Sequence, residues 1–514
     1  MKQILLFLVV TMMAIPASSQ SVGIGTNTPQ ASAMLEVSST NKGFLPPRMT
    51  TVQRNAIANK AAGLMIYNTV TNCIEIFNGA NWTNLCSSLP SSVLAKPLMG
   101  GIQNEEAYAI QQTADGGYIV GGITESSQNG DVTGINNGGT DCWVVKLDAT
   151  GNIIWNKVFG GSGFEQLKNI QTTTDGGYIF CATSGSSADG DVTGVNKGVF
   201  DIWVVKLNAS GNITWNVLLG GDQVEIAGSI QQTPDNGFIL GGFTNSSANG
   251  DVTEISNGLT DYWIVKLSAT GVVQWNKLLG GFGEDQLSSV KLTTDGGYVA
   301  AGYTSSSATG NVTGTINGVF DFWVIKINST GTPVWNKLIG GSVEQLANAI
   351  QPTLDGGYIV AGKSSSSASG NITGTNNGLN DYLIVKLDAS GNISWNRLLG
   401  GSAEESATAV QQTPDGGFIV VGNSSSSASG DVTQTSRGLE DVWVVKLSPL
   451  GTFEWSKLYG GTESDFATSV ALTADGGFII SGFTNSSASG AVIGTNRGGN
   501  DFWLLRLDGN GDIL

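Results

Sequence analysis

Asp115-Gly116-Gly117-Tyr118-Ile119-Val120 is the stretch whose reading decides the fold. It returns with small changes at Asp175, Asp235, Asp295, Asp355, Asp415 and Asp475, each 60 residues after the last. A fixed period without drift is the signature of a repeat architecture, in which each unit buries its apolar faces against its neighbours.

Working outward from Asp175, one unit reads as four short strands. Leu167 to Thr173 runs into the Asp175-Gly176-Gly177 turn, and Tyr178 to Thr183 returns from it. A long loop rich in Ser, Asn and Gly spans Ser184 to Gly198. The third strand is Asp201-Ile202-Trp203-Val204-Val205-Lys206-Leu207, and the turn Ala209-Ser210-Gly211-Asn212 leads to a fourth strand of the type Ile153 to Phe159. Gly, Asn and Asp at such turns predict an antiparallel sheet. The third strand is apolar on both alternating faces, so the sheet must be covered on both sides. Sheets stacked radially around an axis form a β-propeller.

The count of strands predicts how the ring closes. Asp141, Asp201, Asp261, Asp321, Asp381, Asp441 and Asp501 open seven copies of the third strand. Trp155, Trp215, Trp275, Trp335, Trp395 and Trp455 mark only six fourth strands after them. Sixty residues before Trp155 stands Ala95, in a segment that ends in the paired glycines Gly100-Gly101. From 95 to 514 is 420 residues, seven times 60. The expected fold is therefore all-β: a seven-bladed propeller of 60-residue, four-stranded blades over 95–514, with an N-terminal strand completing the last blade. Closure of that kind removes exposed sheet edges.

Composition agrees. Glycine is abundant, at 73 of 514 residues, and only 13% of residues are charged, as fits short strands joined by tight turns. The formal charge of −17 repels nucleic acid and anionic membrane surfaces, and no basic patch reverses it. Histidine is absent, which removes Ser-His-Asp and Cys-His catalysis in their usual forms and the commonest metal ligand.

The segment before the array has its own organisation. Residues 1–19 read as a secretory signal: Lys2, the apolar run Ile4 to Pro16, then Ala17-Ser18-Ser19. That run is too short to span a membrane, and no later stretch does better. Residues 20–88 form a small β-rich module, and 89–94 a linker that includes Pro90. The module ends in a hairpin around Gly79-Ala80, where Phe77 faces Trp82 and Cys73 faces Cys86. The 73/86 pair is a non-hydrogen-bonded one, whose close side chains suit a cross-strand disulfide, and export allows it to persist. Cys142 and Cys181 stand where other repeats carry small or apolar residues, so they read as buried free thiols.

Two resemblances follow. Val22-Gly23-Ile24-Gly25-Thr26-Asn27-Thr28-Pro29 and Lys42-Gly43-Phe44-Leu45-Pro46-Pro47-Arg48-Met49 resemble an N-terminal module of exported proteins of Gram-negative bacteria, related to phage tail-fibre segments. The resemblance implies a homo-oligomer assembled through this module. Gly220-Gly221, Asp235-Asn236-Gly237-Phe238 and Asp261-Tyr262-Trp263-Ile264-Val265-Lys266-Leu267 resemble the bacterial seven-bladed β-propeller repeat family. That family carries no agreed activity and no catalytic residues to transfer. Together they imply a secreted, periplasmic or cell-surface protein.

Four recurring sets could carry chemistry. Glu105, Glu165, Glu225, Asp285, Glu405 and Asp465, with Glu344 one place early, precede the first strand and could ring a channel mouth. Lys146, Lys206, Lys266, Lys326, Lys386, Lys446 and Arg506 occur once per blade on the apolar third strand. A buried lysine needs a partner, and those acids match in number, so structural pairing is expected. In the long loops Asp131, Asp191, Asp251 and Asp431 recur, with Asn311, Asn371 and Ala491 elsewhere. Oxygen-rich loops bind calcium, which makes these four the candidate ligands, although the spacing is not that of an EF-hand and Asx and Ser turns account for the same composition. Asp148-Ala149-Thr150-Gly151 before Trp155 reads as a tight turn plus a core tryptophan. No other cofactor is expected.

Near-identical blades suit repeated weak contacts. The functional expectation is a non-enzymatic scaffold that binds a protein or glycan through its loop-bearing face. Few aromatics stand in those loops, chiefly Phe164, Phe200, Phe282 and Phe320, which favours protein over glycan. The alternatives are a carbohydrate-active enzyme using paired carboxylates, with Glu105-Glu106, Glu284-Asp285 and Glu404-Glu405 as candidates, and a purely structural envelope or matrix protein. For the disulfide, a peptide map of unreduced protein should link Cys73 to Cys86; two separately alkylated peptides would refute the pair.

Overall fold

The computed structural model describes residues 22–24, 35–37, 44–71, 73–79, 81–84, 94 and 97–514. The signal segment, Cys86 and the linker apart from Leu94 lie outside them. The chain divides into two compact units, Met1–Leu85 and Cys86–Leu514.

In the first unit, Val22–Ile24 pairs in parallel with Leu35–Val37. A four-stranded sheet follows, in the order Arg48–Met49, Met65–Asn68, Cys73–Phe77, Trp82–Asn84. Phe77 faces Trp82, as the hairpin spacing requires, and Asn78 N–H donates to Asn81 O at 3.0 Å. Cys73 is buried. The buried Glu75 is held by Arg54 Nη1 at 2.6 Å and Asn68 Nδ2 at 3.0 Å, which satisfies a charge that could not otherwise stay inside.

The second unit holds seven four-stranded antiparallel sheets among the described residues. Each repeats the strand pattern of the 60-residue unit, and together they form a β-propeller. Inner strands such as Glu165–Thr172 begin two residues before the apolar run, because the acid at their head is itself buried. Third strands such as Asp201–Leu207 are buried along their whole length in every sheet, as their two apolar faces demand.

Packing is between sheets, not within them. Among the described residues, seven apolar clusters each join two neighbours; one sets Cys142 and Val144 against Phe180 and Trp203. Another sets Phe502 and Leu504 of the last sheet against Ile110 and Trp143 of the first, which closes the ring. Inner strands also touch directly: Asn348 Nδ2 donates to Ala407 O, Thr408 Oγ1 to Ala467 O and Thr468 Oγ1 to Ala107 O, at 2.7–2.8 Å.

The outer strand of the last sheet is Leu98–Met99, paired with Trp503 and Phe502, as the repeat count predicts. It has two residues where the other outer strands have seven. Ile513 adds a bridge to Leu507. Leu94 lies buried in the cluster that joins first and last sheets, so it belongs to the propeller and not to the linker. Cys142 and Cys181 are buried free thiols, as expected.

The outer-strand tryptophans are half-buried, not fully core. Trp155 lies on Gly211 of the next blade's turn, edge-on to Tyr178 at 5.8 Å. A Cβ on Gly211 would stand 2.8 Å from the ring, and its φ is +73°. Glycine therefore meets two demands there: a left-handed backbone and a flat seat for an indole.

Two substitutions separate those demands. Gly391 has φ +80° with Trp335 2.8 Å from its absent Cβ, whereas Gly356 has φ +81° and open space. Gly391→Ala should destabilise by about 1–3 kcal/mol more than Gly356→Ala in chemical denaturation. Equal losses would show that the stacking contributes nothing.

Candidate functional site: the loop-bearing face and the central channel

Each third-strand lysine is paired, but not with the acid expected. Lys146 Nζ reaches Asp115 of the Asp-Gly-Gly turn at 2.9 Å and Leu147 O at 2.8 Å. The same pairing recurs from Lys206–Asp175 to Arg506–Asp475. Asp115 also accepts from Thr113 Oγ1 and Gly117 N–H. Burial pushes its carboxyl up, yet the Thr113 and Lys146 hydrogen bonds prevail and hold it at about 2.

The acids at the heads of the inner strands do other work. Glu105, Glu165, Glu225, Asp285, Glu405 and Asp465 are fully buried, so they do not line an open channel mouth. Their fifth-blade counterpart, at the head of strand Gln345–Pro352, is Gln345, and Glu344 stands on the face instead. Glu165 Oε2 accepts from Gly161 N–H at 2.8 Å and Oε1 from Ser184 Oγ at 2.7 Å. Facing it is Asp141 of the preceding blade, also fully buried. One Asp141 oxygen accepts from Asn137 N–H at 2.9 Å. The other, Oδ1, takes no hydrogen bond, and the same holds for Asp201, Asp261, Asp321, Asp381, Asp441 and Asp501. Burial raises Asp141 to about 7, and Glu165 and Asp191 add to the rise. A proton on Asp141, donated to Glu165, satisfies both carboxyls. Gly160 sits over the pair, where a Cβ would fall 2.3 Å from Asp141 Oδ1. That contact explains the first of the paired glycines; the second, Gly161, has Asp189 Oδ1 2.3 Å from where its Cβ would stand.

The four calcium candidates lie at the same junctions. Asp131, Asp191, Asp251 and Asp431 accept from Gly100, Gly160, Gly220 and Gly400 N–H at 3.0–3.3 Å. Asn311 and Asn371 make the same bond, so the role is a clasp between blades that needs no charge. Arg497 pairs with Asp131 and Lys197 Nζ with Asp251 at 2.8 Å. Among the described residues no group of three or more His, Cys, Asp and Glu is placed to hold a metal. The candidate carboxylate pairs separate likewise. Glu105, Asp285 and Glu405 are buried in junctions, while Glu106, Glu284 and Glu404 are half-buried on the face.

The face itself is built on these junctions. Val199, Leu259, Val319, Leu379 and Leu439 occupy one repeat position in five consecutive blades and are 58–71% exposed. Their backbones are pinned to the next blade: Val199 N–H donates to Gln223 O at 2.6 Å, Val319 N–H to Val343 O at 2.7 Å and Leu379 N–H to Ala403 O at 2.9 Å. The side chains thus project from a fixed frame. Toward the inner strands the blades stop being alike. Phe466 stacks on Phe483 at 4.8 Å, and Tyr303 meets Phe320 edge-on at 5.3 Å. Glu404 takes Lys363 at 3.3 Å, and Glu440 is raised by burial and by Glu404.

Of the loop aromatics, Phe282 is strongly exposed and Phe164 packs edge-on to Phe200 at 6.0 Å. Phe243, Tyr303, Phe466 and Phe483 were not visible as face residues, because they stand on strands and not in loops. Their signal is divergence within the repeat: the position of Phe466 is Glu106, Gln166, Ile226, Gln286, Leu346 and Ser406 in the other blades.

Residues 23–97 match the family described as phage tail like trimerisation region. An uncharacterized WD repeat-containing protein of Acanthamoeba polyphaga mimivirus is 21% identical over 61% of this chain and 30% of that protein. The regulatory protein FlaEY of Caulobacter vibrioides is 24% identical over 38% of this chain and 23% of that protein. The chain thus spans less than a third of the length of these curated relatives. Among solved structures, BamB from Moraxella catarrhalis aligns over 82% of this chain and 95% of its own, with 13% identity and a TM-score of 0.35.

The two sets of carboxyls give opposite pH dependences. Asp141, Asp381 and Asp501 are raised to about 7 and Asp201 to about 6, chiefly by burial. Their contribution is complete below about pH 4, the unfolded value, and is lost as pH rises through the folded one. Asp115, Asp175, Asp235, Asp295 and Asp355, lowered to about 2, and Asp415 and Asp475, lowered likewise in direction, contribute above about pH 4 and fail only below it. Between pH 5 and 8 the raised group dominates, so the denaturation midpoint should fall as pH rises. Asp381→Asn should flatten that fall, since an amide replaces the shared proton. A midpoint that climbs from pH 5 to 8 would contradict the shared-proton junction.

Proposed function

We propose that the chain is an exported, non-enzymatic scaffold that docks a protein partner on its loop-bearing face, with segment 23–97 gathering copies into a trimer. The observation that carries the reading is the arc of exposed Val199, Leu259, Val319, Leu379 and Leu439 across five blades. Exposed apolar groups repeated at one level of a rigid frame mark an interaction surface, and they suit a protein better than sugar hydroxyls. The neighbouring acids Glu284, Glu344, Glu404 and Glu440 add a polar, anionic rim, which favours a partner carrying Lys or Arg beside its apolar contacts. The acidic pairs of the blade junctions are shut away from solvent, so the paired-carboxylate enzyme gains no support from them. The Asp-Gly-Gly-Tyr repeats keep the chain beside the exported bacterial propeller repeat family. No helix among the described residues is long and apolar enough to cross a membrane. A trimer would present three such faces at once and convert weak contacts into avidity.

A photo-crosslinking residue at position 379 or 439 should give a discrete protein adduct in the native host, and one at position 210, in the turns at the opposite end of the strands, should not. Equal labelling from both ends would reject the face. Light scattering of the mature chain should return three times the chain mass, and a monomer would reject the trimer.

A further inference from the structure

The central channel departs from blade symmetry in one chemical respect. Its cavity of about 330 Å³ is lined by inner-strand amides and hydroxyls, with Lys168 and Lys291 as its ammonium groups and no Asp or Glu in the wall. This is unusual in a chain with 41 acids and 24 bases. Neither lysine is required by the repeat. The position of Lys291 is Gln in five blades, for instance Gln171 and Gln231, and that of Lys168 is Tyr108, Gly228, Ser288, Asn348, Thr408 and Thr468 elsewhere. Each lysine is depressed, with burial as the leading cause. Lys168 has some relief, with Nζ 5.3 Å from the Tyr108 ring centroid and Glu106 nearby. Lys291 has no hydrogen bond or ion pair among the described residues, and burial alone is what shifts it. Both lysines stand half-buried in the channel wall, and the other blades show that the fold does without them. A cation held in a low-dielectric channel focuses field and gathers counter-ions, even in an acidic protein.

We propose that the central channel is an oxyanion-binding site, in which Lys291 and Lys168 supply the charge and the surrounding amides and hydroxyls the hydrogen bonds. The ligand class is a small carboxylate-, phosphate- or sulfate-bearing molecule, which a cavity of this size admits. The site is separate from the loop-bearing face, so either reading can fail without the other.

The test uses the mature chain and three probes: citrate, inorganic phosphate and sulfate, each at ionic strength matched with sodium chloride. The thermal midpoint of the wild type should rise saturably with at least one probe. A response to citrate alone assigns a carboxylate, and one to phosphate or sulfate a tetrahedral oxyanion. Lys291→Gln and Lys168→Thr place in the channel the residue that other blades carry there. Both should fold with an unchanged or higher midpoint without probe, and Lys291→Gln should weaken the response by about tenfold or more. No saturable response to any probe, or an equal one in Lys291→Gln, would overturn the site. So would a steep loss of stability in the variants, since the lysines would then be structural.

Discussion

The structure depends on a buried cation at one end of every sheet and on buried polar junctions between blades at the other. The lysine of the third strand lies in an apolar layer where an unpaired charge could not stay. Its partner is the aspartate of the hairpin turn that joins the two inner strands, as in Lys206–Asp175 at 2.8 Å. One ion pair thereby fixes the turn, the third strand and their register. At the far end Asp201 faces Glu225 across a blade junction, and the glycine between them lets the chains approach. Both devices are polar, and apolar packing between sheets fills the space they enclose. That division explains why charge is sparse in this chain and why so much of it recurs at fixed repeat positions.

A frame built from interchangeable parts leaves function to the positions that vary. Those lie in two places. On the loop-bearing face, exposed apolar side chains follow one another around five blades, and aromatic pairs such as Phe466 with Phe483 break the pattern nearer the axis. In the channel, two lysines interrupt rings of neutral residues. Neither place is needed to close the ring, and both carry groups that a fold alone would exchange for polar or uncharged ones. The junction aspartates that open the third strands are the reverse: the same residue in all seven blades, and buried.

The 60-residue period made the blades, the all-apolar third strand and the borrowed outer strand legible, because these follow from counting and from two-sided burial. The lysine partner was not legible. Three acids recur per blade near Lys146, namely Asp115, Asp141 and an inner-strand acid such as Glu105, and equal numbers cannot say which lies within reach. Glu344 misled in the same way, since Gln345 fills the junction position and a neutral amide serves there as well as an acid. The half-buried Trp155 looked like core because its seat, Gly211, lies 56 residues away on another blade. The face aromatics on strands were hidden by the assumption that binding residues stand in loops.

Hydrogen–deuterium exchange, resolved by segment, tests the closed frame most directly. If each third strand is fixed at both ends and the last sheet is completed from the N-terminal side, Asp501–Leu507 should exchange as slowly as Asp141–Leu147 and the five strands between them. Exchange of Asp501–Leu507 well ahead of the others, with Leu98–Met99 unprotected, would mean that the ring is open at that seam.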